Sequence, residues 1–253
     1  MFETTPPSFD SGQRDRYYWE SLAKIVEARK YGIEDLLRHW PAYVMRRDIP
    51  RFLSHYELFK QVIDLPGCIV ELGVFKGASF FTWSMLMETF VPFDRSRKVY
   101  GFDSFEGLTQ FRPEDGKDDT PAGKNLGGYK CTAAEVMKLT QMHNADNLIT
   151  GTQRANLVVG QIQDTLPKFL EDHPGLKISL LHFDVDLYEP TRYALEMLYP
   201  LVLKGGILCF DEYGLVPWQG ETRAVDEYFA SRGEQPLIRK HAFAQTPHGY
   251  LVK

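Results

Sequence analysis

The chain has 253 residues, of which 43% are hydrophobic and 25% charged, with a formal net charge of -5. That composition supports a full core in one large domain and gives neither nucleic acid nor a membrane surface any general attraction. The three cysteines, Cys68, Cys131 and Cys209, include no Cys-x-x-Cys pair, which argues against a disulfide framework and a zinc site of that pattern.

Residues 1–14, with Pro6, Pro7 and Gly12, read as a flexible tail. The start lacks the basic-then-apolar order of a signal peptide, and no apolar run reaches the roughly 20 residues of a spanning helix. A cytoplasmic protein with no membrane partner is expected. Residues 15–66 read as an N-terminal helical cap: Phe52, Tyr56, Phe59 and Ile63 share one helical face. Asp48 is a candidate cap for that helix, with Pro50 in its first turn. "PG" at 66–67 is a turn signal. Strands and helices then alternate: strand 68–73, helix 77–90, strand 98–103, a long polar, glycine-rich segment at 107–130, helix 132–143, strand 156–160, helix 164–171, strand 177–183, helix 190–200, strand 204–210 and helix 221–231. "PLIRKHAF" and "HGYLVK" at the end predict a closing hairpin.

This alternation predicts an α/β domain with a parallel sheet covered on both faces. Ligands of such sheets bind beyond the carboxyl ends of the strands. Glu71, Asp103, Asp184 and Asp211 all fall at or near such ends and should line one edge together.

"ELGVFKGAS" (71–79) has the form strand, turn, helix. Its Gly-x-x-x-Gly spacing is neither GxGxxG nor a P-loop. Gly73 and Gly77 allow close backbone approach to a ligand, and the following helix start favours an anionic group. Asp103, at the end of the next strand, suits a ribose diol. The combination fits an adenosine-containing ligand that needs no pyrophosphate. Glu71 is either an internal acceptor for turn amides or a partner for a ligand ammonium. Asp184, Asp211 and Glu212 come from the ends of adjoining strands and would repel one another without a cation. Oxygen-only donors suit a hard ion such as Mg²⁺. Arg192 and Arg223 are the alternative, as ion-pair partners for Asp186, Asp211 and Glu212. His182, two residues before Asp184 and on the same sheet face, reads as a satisfied core histidine, with a ligand or base as the alternative.

Five collinear stretches over roughly 67–231 carry a resemblance: "IVELGVFKGAS", "GFDSFEGL", "VVGQIQDTLP", "LHFDVDLYEPTRYALEMLYPLVLKGGILCFDEY" and "AVDEYF". Together they resemble the macrocin O-methyltransferase family, bacterial S-adenosylmethionine- and metal-dependent sugar O-methyltransferases. The resemblance implies a Rossmann-like class I methyltransferase fold, with a mostly parallel seven-stranded sheet, helices on both faces and an N-terminal helical extension. The methyltransferase domain would span 67–253, with 107–130 as a lid closing, together with the cap, over the site. Glu71, Gly73 and Gly77 would hold the amino-acid end of S-adenosylmethionine, with Ser79 nearby. Asp103 would take the ribose, Ser104 would lie beside the adenine, and Gln161, Ile162 and Asp164 would border it. Asp184, Asp211 and Glu212 match metal-ligand positions, and Asp186 matches a general base. Relatives usually carry Asp-Asp where this chain has Asp211-Glu212. The implied reaction moves a methyl group to a hydroxyl of a sugar or nucleotide sugar, with Mg²⁺ or another divalent cation, in a homo-oligomer. Lys117, Lys124 and Lys130 either contact a nucleotide diphosphate or belong to a solvated loop. A non-sugar acceptor, a hydroxylase-associated role and a nicotinamide oxidoreductase are the alternatives.

Overall fold

The structure, a computed structural model, describes residues 11–117 and 124–253. Most of the expected tail, and 118–123 of the expected lid, lie outside the described residues. The chain divides into two units, Met1–Ile49 and Pro50–Lys253. In the first, α1 (Ser11–Ala28) and α2 (Ile33–Arg38) precede two short 3-10 turns, and Arg47 donates to Asp15 (2.5 Å). Asp48 does not cap the following helix as expected. Its carboxylate turns back to accept the Met45 N–H (2.9 Å).

In the second unit, α3 (Ile49–Val62) buries Leu58, Phe59 and Val62 in the core. The strands are β1 (Cys68–Leu72), β2 (Val99–Asp103), β3 (Ala155–Val159), β4 (Ile178–Phe183), β5 (Val202–Phe210) and β6 (Gly249–Val252). They lie in the order β3-β2-β1-β4-β5-β6. The first five are parallel and β6 runs antiparallel to β5. The helices after β1 to β5 are α4 (Ala78–Phe90), α5 (Ala133–Ala145), α6 (Ile162–Asp172), α7 (Tyr188–Leu198) and α8 (Gln219–Ser231). Six strands, not seven, form among the described residues. The first arm of the expected hairpin contributes only a bridge from Arg239 to Tyr250. Pro236 cannot donate to a ladder, and a turn from His241 to Ala244 ends the run early.

The period-2 alternation of the strands sends side chains to two cores. Val70, Leu72, Leu181, Phe183, Leu208 and Phe210 pack with α6, α7 and α8. Ile69, Leu180, Ile207 and Cys209 pack on the other face with α3 and α4. Glu71, His182 and Asp211 share the parity of this second set, so three polar side chains enter the α3/α4 face near its upper end. No helix among the described residues is long and apolar enough to cross a membrane.

Candidate active site

The strand ends are level: Leu72 pairs with Phe102 and Phe183, and Phe183 with Phe210. The chain continues this alignment just beyond, where Asp184 N–H donates to Leu72 O (2.8 Å) and Asp211 N–H to Phe183 O (3.0 Å). At this edge lies a cavity of about 860 Å³, lined by Gly73, Ser79, Asp103, Ser104, Gln161, Ile162, Asp164, Asp184, Asp186, Asp211 and Glu212, among others. That volume suits a ligand of small-molecule cofactor size.

The β1–β3 side is held by Asp103. Its Oδ2 accepts the N–H groups of Val74 (2.8 Å) and Phe75 (2.7 Å), and its Oδ1 that of Phe105 (2.6 Å). Gly73 has φ +87°, and a Cβ there would lie 1.7 Å from the carbonyl oxygen of Asp184. The glycine therefore lets the ends of β1 and β4 touch. Gly77 also has a left-handed φ and precedes α4, but it lies behind the cavity lining, against Phe81. Glu71 lies behind the lining too. It is fully buried, and its Oε2 accepts from Trp83 Nε1 (2.8 Å) and pairs with His182 Nδ1 (3.1 Å). Its partners here are an indole and an imidazole, not the turn amides of the internal reading.

The β4–β5 side holds the acids. His182 Nε2 faces Asp211 Oδ1 at 3.6 Å, an ion-pair distance rather than a hydrogen bond. Burial alone would lower the His182 pKa, but Asp211 and Glu71 outweigh it and raise it to about 10. That raised value belongs to the ion-free chain; His182 Nε2 is buried without a hydrogen-bond partner, and one ligand atom each from His182, Asp184 and Asp211 all lie within 4.8 Å of one another. Burial pushes Asp211 up, but Arg51 and His182 outweigh it and hold that carboxyl below its ordinary value. Asp184 is pushed up to about 7 by burial and by Asp211. Burial, Asp184 and Asp211 raise Asp186 well above the carboxylate range. Burial, Asp211 and Asp186 do the same for Glu212.

The cations offered as alternative partners pair elsewhere: Arg192 with Glu196 (2.8 Å) and Arg223 with Glu227 (2.7 Å). The arginine at the acids is Arg51 of α3, which touches both Asp184 and Asp211. The sequence reading also passed over Glu221, fully buried at the start of α8, whose Oε1 accepts the Glu212 N–H (2.9 Å). Neither residue stands in a motif. Asp211 Oδ1, Glu212 Oε2 and Glu221 Oε2 are buried without a hydrogen-bond partner. His182 Nε2 is likewise buried without a hydrogen-bond partner, so the carboxylates, with or without this nitrogen, form a donor set that fits a divalent cation.

Phe75, Tyr129 and Asp186 line the cavity with φ between 50° and 62°, a costly conformation for residues other than glycine. Lys124 does not face the cavity as a phosphate contact. It is fully buried, and its Nζ donates to the carbonyls of Asp115 and Pro217. Lys117 and Lys130 are exposed.

A sequence model of the macrocin-O-methyltransferase (TylF) family matches residues 43–242. The chain belongs to this family. Demethyldecarbamoylnovobiocin O-methyltransferase of Streptomyces niveus is 28% identical over 225 residues, 87% of this chain and 79% of that one. An 8-demethyl-8-(2,3-dimethoxy-alpha-L-rhamnosyl)-tetracenomycin-C 4'-O-methyltransferase of Streptomyces olivaceus is 29% identical over 152 residues, 60% of this chain and 54% of that one. The calicheamicin methyltransferase CalS11 superposes with a TM-score of 0.84 at 26% identity, over 99% of each chain. An apo structure of CalS11, named as a TDP-rhamnose 3'-O-methyltransferase, gives 0.77 at 29% identity, over 97% of this chain and 96% of that one. The fold is the class I methyltransferase fold, and membership makes this macrocin-O-methyltransferase relative an enzyme of O-methyl transfer.

Proposed function

We propose that this chain transfers a methyl group from S-adenosylmethionine to a hydroxyl of a sugar, free as a nucleotide sugar or attached to a natural product, with a divalent cation such as Mg²⁺. The observation that carries the reading is the convergence of Asp184, Asp186, Asp211 and Glu212 on one cavity with the glycine loop and Asp103. Two relatives support a sugar acceptor, since their names carry a rhamnosyl or rhamnose group. The Streptomyces relatives support a place in antibiotic biosynthesis.

The donor lies along β1–β3. Gly73 admits its methionyl end beside Ser79, and Asp103 offers its remaining acceptor capacity to the ribose while holding the loop. Ser104, Gln161, Ile162 and Asp164 form the wall around the base. Asp184, Asp211 and Glu212 would hold the cation, which when bound would supply acidification and orientation of the acceptor hydroxyl. Asp186 accepts the proton from that hydroxyl oxygen. Leu187, Leu215 and Trp218 border the acceptor side and exclude water.

The test is incubation with labelled S-adenosylmethionine and a panel of nucleotide sugars, glycosylated natural products and non-sugar hydroxyl compounds, read by mass spectrometry. Label on a sugar oxygen, lost after EDTA treatment and restored by Mg²⁺, is the expected result. Full activity in EDTA defeats the cation role, and label only on non-sugar compounds defeats the acceptor class.

A further inference from the structure

Arg51 stands in the first turn of α3, and its side chain is 27% exposed. Its Nη1 donates to Asp211 Oδ2 (2.8 Å) and to Thr246 Oγ1 (2.9 Å). Its Nη2 donates to Asp184 Oδ2 (2.7 Å) and to Ser79 Oγ (3.1 Å). One planar guanidinium thus takes an oxygen from each of the two acids. The other oxygen of Asp211 is buried and turned towards His182. Oδ2 is therefore the oxygen that Asp211 presents to the cavity, and Arg51 holds it. A divalent ion shared by Asp184 and Asp211 through these Oδ2 atoms would meet Arg51 there. Asp211 already faces Arg51 and His182, so a divalent ion would bring a third positive group to one buried carboxylate, and the three repel.

We propose that Arg51 is the resident cation of the acid cluster, and that a divalent ion binds by displacing it. The proposal rests on the divalent-cation reading above and assigns Arg51 as the positioning residue that sets the site's affinity for the ion. In the ion-free chain Arg51 bridges Asp184 and Asp211, whose candidate ligand atoms, with one from His182, all lie within 4.8 Å of one another. On displacement, Ser79 and Thr246 remain as acceptors for its N–H groups, and the half-open side chain has the cavity to move into. Arg51 then acts as a competitor at ambient ion levels and keeps the cluster from collapsing when the ion leaves.

A permanent neighbour of the ion would act differently, through charge alone. Lysine separates the two cases, because it keeps the charge but cannot span both acids as a planar fork does. Mn²⁺ binding is measured by electron paramagnetic resonance and calorimetry on wild type, Arg51→Lys, Arg51→Gln and Asp211→Asn, each first checked for folding by circular dichroism. Displacement predicts that Arg51→Lys binds Mn²⁺ about ten-fold tighter than wild type and Arg51→Gln at least as tightly. An Arg51→Lys affinity equal to wild type, with only Arg51→Gln tighter, overturns the proposal in favour of charge alone. Weaker binding by both variants overturns it as well, since Arg51 would then help to build the ion's site. Anomalous diffraction from Mn²⁺-soaked crystals should show the guanidinium off both acids. A guanidinium still bonded to Asp184 and Asp211 beside the ion overturns it independently. Asp211→Asn reports on the underlying reading: Mn²⁺ binding unchanged by that substitution places the ion elsewhere and removes the acid-cluster site itself.

Discussion

Single residues here carry several tasks at once, and Asp103 is the clearest case. Its carboxylate takes three backbone N–H groups of the loops that follow β1 and β2, and it is also the proposed ribose partner. Asp103→Ala should therefore weaken binding of S-adenosylhomocysteine by about ten-fold or more and lower stability by about 1–3 kcal/mol. Calorimetry and urea titration check the two separately. Unchanged affinity with lost stability would leave Asp103 as a loop anchor only. His55 gives a pH prediction. Its ring is fully buried against Trp83, with neither nitrogen hydrogen-bonded. Burial, then the charges of His182 and Arg51, hold its pKa well below the ordinary value. The folded ring stays neutral while the unfolded one takes up a proton below about pH 6.5, so stability falls with falling pH by up to about 1.4 kcal/mol per unit. His55→Leu should flatten that part of the profile in urea midpoints measured between pH 7 and pH 5; an unchanged slope excludes His55 as its source. At this scale the acids were legible in the sequence because a strand end is a position that periodicity can locate. Their partner was not: Arg51 lies 133 and 160 residues from Asp184 and Asp211, and an arginine on a helix with an apolar face has no local mark of its destination.

Elements meet closely where glycines permit it. Gly220, in the first turn of α8, is such a place: a Cβ there would lie 2.0 Å from Asp115 Oδ1 and 2.8 Å from the Tyr188 nitrogen. Asp115 Oδ1 accepts the Tyr188 N–H at the start of α7 (2.7 Å), and its Oδ2 accepts the Arg112 N–H (2.7 Å). Lys124 ties the far side of the same segment to the Asp115 and Pro217 carbonyls. The described ends of the 107–130 segment are thus latched to α7 and α8. Gly220→Ala should break the latch at a cost of about 1–3 kcal/mol, as overpacking does. The acceptor KM should rise while S-adenosylhomocysteine affinity stays, because the donor residues lie on the other side of the cavity. Steady-state kinetics with calorimetry measures the split, and equal losses of both would refute a latch confined to the acceptor side. The helix and strand order was readable from hydrophobic spacing. The latch was not, since a polar, glycine-rich stretch gives the same pattern whether its lysine is solvated or buried. The missing hairpin arm shows a related limit: "PLIRKHAF" has strand-like residues, but its proline and its early turn leave room for a single bridge.

Over the whole molecule, ligation and stability are one equilibrium. A cation that binds the folded chain alone stabilises it by about 2.7 kcal/mol at a hundred times its Kd. For a chain of this size each kcal/mol moves Tm by roughly 2–4 °C. Mg²⁺ or Mn²⁺ should therefore raise Tm by several degrees, and Asp211→Asn should abolish the rise. A wild-type Tm indifferent to either ion at millimolar concentration would count against the cation. The parallel sheet and its ligand-binding edge were legible in the sequence at this scale, because alternating elements leave few topologies open. The sixth strand's antiparallel course adds an edge without disturbing that end. Strand order β3-β2-β1-β4-β5-β6 also divides the crevice by chain position: residues up to Asp164 border one bank, and those from Asp184 onward make up most of the other. Arg51 is one of the places where the two banks are joined, through its hydrogen bonds to Ser79 and Asp184. Inheritance can act on such a layout one bank at a time. Substitutions along the later bank can retune which molecule is methylated while the earlier bank, and with it the identity of the donor, passes on unchanged.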